Sequence, residues 1–234
     1  PSCAYIDVGA LHAAYLAQAR RAGGQLFLSA ELGAARREGG VWRLDTRAGP
    51  VAADILVDAA GAWADPVAHI AGARPIGIQP YRRTIMQLRT DPLAPAGMPH
   101  VADINGTVYF KPESGGRLWL SPHDEIPSPP TDAAPEDIDV AIAIDRFEQV
   151  VDWRVAALER KWAGLRSFAP DRRPVYGFDS RVPGFFWCAG QGGFGIQTSP
   201  AGARVAAALL LGHAPHPSVA AIDPALYAPD RFPA

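Results

Sequence analysis

The sequence predicts an α/β protein with a second unit built on an antiparallel sheet. Three observations carry that reading. Residues 1–75 alternate helix, strands, strand and helix. From Pro75 to Pro130 strand-like runs are separated by Pro and Gly turns, with no clear helix. Near the C-terminus an apolar run enters a cluster of glycines, and a helix begins at once.

Taken in order, Leu11 to Arg21 reads as a helix from apolar Leu11, Ala14, Tyr15 and Leu16, stopped by Gly23-Gly24. Leu26 to Leu28 is a short apolar strand candidate. Val41 to Thr46 alternates as a half-exposed strand and turns at Ala48-Gly49-Pro50. Asp54 to Ala60 reads as a buried strand ending in Gly61, followed by a helix over 64–71. Strands are then expected over Arg82 to Leu88, Thr107 to Lys111 and Arg117 to Ser121. Pro135-Glu136-Asp137 opens a helix reaching about Val150, with Pro and acids in its first turn. Trp162 to Phe168, Val175 to Phe178 and Phe185 to Ala189 return to strands, and Gly195 to Leu211 is the last helix. The Pro- and Ala-rich tail from His213 is expected on the surface.

Composition sets bounds. The 234 residues, 48% hydrophobic and 20% charged, suit one large or two small globular domains. A net charge of −2 argues against nucleic acid as the main partner. Lys111 and Lys161 are the only lysines among 22 basic residues. The rest are arginine, whose planar fork grips planar anions. The two cysteines, Cys3 and Cys188, and the six histidines show no metal-ligand spacing, so no metal site is expected. No stretch approaches the roughly 18 apolar residues of a membrane span. No signal peptide is visible, and the first residue is Pro1. The chain is therefore expected to be a fragment or processed product.

Three constellations stand out. Gly190, Gly192 and Gly195 fit the letters G-x-G-x-x-G between the 185–189 strand and the last helix. Glycines let a ligand approach the backbone, and the helix start offers free N–H groups. A dinucleotide fingerprint also needs a following strand with an acid about 20 residues on, and here a Pro-rich tail follows. The cluster is then a ligand-facing helix start or a tight structural turn, and an NAD-type pyrophosphate site is excluded. Second, Ala59 to Asp65 ends a buried strand in small residues where a helix starts, a ligand position in parallel sheets or a close packing contact. Third, Arg166 lies in the otherwise apolar run 162–168, so it is buried and paired or faces a pocket. Arg82 and Arg83 are adjacent in a strand, so only one of them points inward. An inward arginine from each run would clamp a carboxylate. Tyr109 offers a phenol to a pocket, or packs as a core aromatic.

Six segments in order, 6–12, 57–65, 79–84, 109–112, 162–171 and 189–198, resemble the FAD-dependent amino acid oxidase and dehydrogenase family. That family includes D-amino acid, glycine and sarcosine oxidases, and the bacterial D-arginine dehydrogenase type is the nearest look-alike. The resemblance implies a two-domain flavoprotein of the glutathione-reductase-like type. Its FAD-binding domain would be discontinuous, 8–75 and 161–212, with an antiparallel substrate domain at 76–160 and a surface tail at 213–234. The family's N-terminal βαβ unit would precede Pro1, so this chain alone is expected to bind FAD weakly.

The resemblance also implies roles. Arg166 would pair with the carboxylate of a small amino acid substrate, with Arg83, before Arg82, as the second cation and Tyr109 as a further donor. The Gly193 carbonyl would meet the substrate amine. Gly190, Gly192, Gly193, Phe194, Gly195, Ile196 and Gln197 would line the flavin, Gly61 and Trp63 would flank the diphosphate and ribose, and Leu32 the adenine. Relatives often carry tyrosine at the Phe194 position. The implied reaction is oxidation of an amino acid, in particular a D-amino acid, to the imino acid by hydride transfer to flavin N5. No residue suits a strong general base. The expected location is the cytoplasm, with peripheral contact to the membrane electron-transport chain. A different class of reading is a non-catalytic fragment that acts as a binding module or subunit.

Overall fold

The computed structural model describes residues 4–232. Helix α1 (Val8–Arg21) precedes three short strands, β1 (Leu32–Glu38), β2 (Val41–Thr46) and β3 (Gly49–Ala53). Strand β4 (Leu56–Asp58), a 3-10 turn at Gly61–Trp63 and helix α2 (Ala64–Ile70) follow. The middle of the chain supplies β5 (Gln79–Asp91), β6 (Val101–Ala102), β7 (Tyr109–Glu113), β8 (Arg117–Ser121) and β9 (Ile126–Pro127). Then come helix α3 (Asp137–Val150), β10 (Arg154–Phe168), β11 (Val175–Phe178), β12 (Phe185–Ala189) and helix α4 (Gly195–Leu211).

Local chemistry explains where the elements depart from the periodicity. α1 starts three residues before Leu11 because Asp7 Oδ1 accepts from Ala10 N at 2.9 Å and caps it. Leu26 to Leu28 is not a strand: it has no neighbouring strand, and Leu28 is 77% exposed. β4 is shorter than 54–60 because Asp58 Oδ1 accepts from Ala60 N at 3.1 Å and turns the chain. β10 reaches back to Arg154, well before Trp162, but two register shifts, at 155/157 and 158/160, break its alternation. α4 spans the expected residues and ends on left-handed Gly212.

The three sheets divide the chain. β1-β2-β3 is an antiparallel meander. β11-β12-β4 pairs antiparallel at β11-β12 and parallel at β12-β4. The core beside it gathers Trp42, Ala64, Ala68, Phe185 and Trp187, and the Trp42 indole donates to Gly184 O at 2.9 Å. The third sheet runs β10-β5-β8-β7-β6, all antiparallel, with β9 also on β5. The boundary drawn from the sequence at residue 161 falls inside β10, which pairs with β5 along its length. The tail is also more than a surface appendage: Val219 is buried with Tyr176 and Val205, and Phe232 packs against the first core. No helix is long and apolar enough to cross a membrane among the described residues.

In the large sheet, Met86, Leu88, Phe110, Leu118 and Leu120 pack on Val140, Ala143 and Phe147 of α3. Phe110 and Phe147 meet edge to face at 5.0 Å. Phe147→Ala should therefore cost about 3–5 kcal/mol of stability. Denaturant unfolding monitored by circular dichroism checks this.

β4 ends at Asp58, which is 1% exposed with Oδ2 unpartnered among the described residues. Burial pushes its carboxyl up to about 7, with the nearby Asp65 charge adding and the Ala60 N–H opposing. The folded protein thus holds a proton that the unfolded chain releases near the ordinary Asp value. Stability from this group is full below that value and is lost as pH rises towards about 7. Asp58→Asn should raise Tm above pH 7, and the gain should vanish near pH 4. Thermal melts across that range check the sign.

Candidate functional site

Strand alternation decides which arginines meet. Arg83 stands opposite Gly164, and Tyr81 opposite Arg166, so Arg83 and Arg166 share one face of the β5–β10 pair. Arg82, opposite Leu165, lies on the other face. There its guanidinium bonds Glu136 and, at 2.7 Å, Asp139 of α3. Only Arg83 of the two joins Arg166, and Arg82 fastens a helix to the sheet.

The Arg166 guanidinium lies near the Tyr109 phenol, which favours its charged form. It also lies against Gly193, where a Cβ would come within 2.9 Å of its Nη1. Arg83 is 4% exposed. Its Nε donates to the Asp124 carbonyl, and its Nη2 is 3.7 Å from Glu125. Its Nη1 has no partner among the described residues. Burial and the Arg83 charge pull the Arg166 pKa down, against the raising effect of Tyr109 and Glu125. Arg172 takes both Glu125 oxygens, at 2.8 and 3.0 Å. Arg83 also lies 3.8 Å from the Asp124 carboxylate, so Arg83, Arg166 and Arg172 gather around the two carboxylates Asp124 and Glu125 with positive charge in excess.

The glycine cluster forms the opposite wall. The Gly192 amide donates to Ser167 O at 2.8 Å, tying the turn to the end of β10. Gly192 has φ +60°, and a Cβ there would sit 2.5 Å from the Phe168 ring. Only glycine fits. The Tyr176 hydroxyl donates to Gln191 at 2.8 Å and steadies the turn from behind. α4 then begins at Gly195 with no side-chain cap. Gly193, Phe194, Ile196 and Gln197 line a cavity of about 1030 Å³, faced by Gln87, Lys111 and Trp119 of the large sheet and by residues 4–9.

Gly61 and Trp63 line a different cleft, of about 610 Å³, against residues 131–133 and 163–165. Leu32 lies in the meander and lines neither space. A turn that Cβ atoms would fill, followed by a helix start with unused N–H groups, suits the planar, anionic end of a flavin. The residues present therefore fit FAD at 190–197.

Sequence reasoning missed several residues of this face. The His123 ring packs edge-on to Tyr109 at 5.4 Å, and burial and the Arg83 and Arg166 charges hold its pKa low. His100 packs on Tyr109 at the same separation. Lys111 and Trp119 share the face with Tyr109. The two-residue period of β7 places Lys111 beside Tyr109, a signal present in the sequence. His123 sits in a loop with φ +56°, where no periodicity applies.

The chain is similar to several known proteins. The mouse protein named FAD-dependent oxidoreductase domain-containing protein 1 is 27% identical over 186 residues, 70% of this chain and 37% of its own length. The hydrogen cyanide synthase subunit HcnC of Pseudomonas aeruginosa is 28% identical over 198 residues, 80% of this chain and 44% of its own. The chain thus spans less than half of either relative. Among solved structures, glycine oxidase from Geobacillus kaustophilus superposes with a TM-score of 0.77 at 26% identity, over 96% of this chain and 58% of that one. L-Proline dehydrogenase from P. horikoshii superposes with a TM-score of 0.79 at 22% identity, over 95% and 59%. The family model described as DAO, FAD dependent oxidoreductase, matches residues 1–209, and the chain belongs to that family of FAD-dependent oxidoreductases.

Proposed function

We propose that this chain forms the substrate-facing part of an FAD-dependent enzyme that oxidises the CH–NH2 or CH–NHR group of an amino acid. The observation that carries the reading is that Arg166, Arg83 and Tyr109 share one face of the sheet, with Arg166 against Gly193 and one buried Arg83 nitrogen unpartnered. A substrate carboxylate here accepts from both guanidiniums and the phenol and relieves their mutual repulsion. The Gly193 carbonyl then faces the amine, so the substrate is held at two points and its Cα is oriented. FAD, when bound, would supply the hydride acceptor for oxidation at that Cα, and the imino acid product would be open to hydrolysis by water. Phe168 and Phe194, packed edge to face at 6.3 Å, keep water from one side of the pocket. The D-amino acid preference of the sequence reading and a likeness to the D-arginine dehydrogenase type belong to this proposal, as does action in the cytoplasm.

We also propose that the ADP half of FAD is held by a βαβ unit lying against the open edge of β4. Exposed Ile55 and Val57 at that edge support it, because sheets rarely leave an apolar edge bare. The 234-residue chain purified alone should lose FAD on dialysis. A flavin absorption spectrum of one FAD per chain after dialysis would overturn this.

In the full-length enzyme Arg166→Ala should raise KM steeply and lower kcat/KM by about 2–5 kcal/mol in transition-state terms. Arg166→Lys should recover part, because an ammonium lacks the planar fork. FAD content should stay near wild type. If Arg166→Ala instead loses FAD or stability while KM is kept, the arginine is structural.

A further inference from the structure

We propose that the cavity beside the Arg166 cluster recognises a second carboxylate on the substrate, and that Lys111 is the residue that binds it. The inference rests on the reading of Arg166 and Tyr109 as the α-carboxylate site, and it names the class of side chain that site takes.

Tyr109 and Lys111 stand two residues apart on β7 and therefore on one face of the sheet. Same-face neighbours on a strand are about 6.6–6.8 Å apart. That spacing suits a substrate whose distal carboxylate lies two or three bonds beyond Cα, with Tyr109 and Arg166 at one end and Lys111 at the other. The Lys111 ammonium lies over the Trp119 ring at 4.3 Å and near the Tyr5 ring at 5.1 Å, so two aromatic faces hold it inside the cavity.

Lys111 pairs with a carboxylate that a second cation also flanks. Its nearest carboxylate is Glu113, at 3.5 Å. Glu113 also stands cross-strand from Arg117, so it is flanked by two cations. Arg117 and Arg89 are both bound by Glu159, at 2.6 Å each. Lys111, Arg89 and Arg117 thus meet Glu113 and Glu159, three cations against two anions. Asp7, on the opposite wall, caps α1. His100 adds no charge that competes for the anion: burial and Lys111 hold its pKa low. Lys111 is also one of only two lysines in a chain that otherwise uses arginine.

The test is calorimetric titration of the protein, with and without added FAD, using succinate, glutarate and butyrate as non-reacting probes, with Trp emission as a second readout through Trp119. Glutarate or succinate should bind about tenfold more tightly than butyrate. Lys111→Met should abolish that preference and change butyrate affinity by less than about threefold, and Lys111→Arg should restore most of it. Equal binding of mono- and dicarboxylates by the wild type, or a preference that survives Lys111→Met, overturns the proposal while leaving the α-carboxylate site standing. A wild type that binds none of the three overturns both. With the full-length holoenzyme, Lys111→Met should raise KM for dicarboxylic amino acids and spare neutral ones.

Discussion

Two guanidinium groups of like charge on one sheet face, Arg83 buried and Arg166 half-buried, are the constraint on which the site depends. Arg83 and Arg166 repel each other where water is scarce; Arg83 has Asp124 at 3.8 Å and Glu125 at 3.7 Å, whereas Arg166 makes no ion pair among the described residues. Such an arrangement persists only when the surrounding fold over-determines it. Asp124 meets part of the cost: its carboxylate accepts from Thr84 N and Oγ1, each at 2.8 Å, which fixes the loop whose carbonyl receives Arg83. Glu125 is in turn oriented by Arg172, whose guanidinium lies 3.9 Å over the Phe168 ring. The same Phe168 closes off the space that a side chain at Gly192 would need. The arginine cluster and the glycine turn are thus parts of one packing arrangement.

The apolar side of the sheet serves that arrangement indirectly. β5 turns Met86 and Leu88 to α3 and Arg83 and Gln87 to the opposite face, where Gln87 lines the cavity. Burying one face under α3 pins the register of the ladder, and the register places the other face's polar groups. Arg82, which faces α3, makes its ion pairs there and is removed from the substrate side.

Much of this was legible in the sequence, and the exceptions have physical causes. A single arginine among Trp162, Leu165 and Phe168 needs an anion, and alternation assigned one of Arg82 and Arg83 to the same side. The strand-to-glycine-to-helix pattern marked α4 at its true start. What was hidden depended on pairing partners. β10 beyond Trp162 is disguised by bulges that disrupt its period. Leu26 to Leu28 has strand composition but no strand to pair with. The convergence of His123 on Tyr109 depends on a loop backbone in the left-handed region, which hydrophobic periodicity does not report. The resemblance assigns Gly61 and Trp63 to the diphosphate and ribose and Leu32 to the adenine, and all three lie outside the cavity beside the glycine turn.

The ladder of β5 and β10 has a consequence for how such a sequence can drift. Between Arg160 and Phe168 every residue has a fixed partner from Gln87 back to Gln79, without a bulge to absorb an extra residue. Point substitutions on the cavity side alter one contact each. Inserting or deleting one residue between Arg160 and Arg166 would instead turn Arg166 to the opposite face of the sheet, away from Arg83. Length variation across relatives should therefore collect at the two irregular positions near Val155 and Leu158, or in the loops, leaving the nine-residue segment 160–168 constant in length while its side chains change.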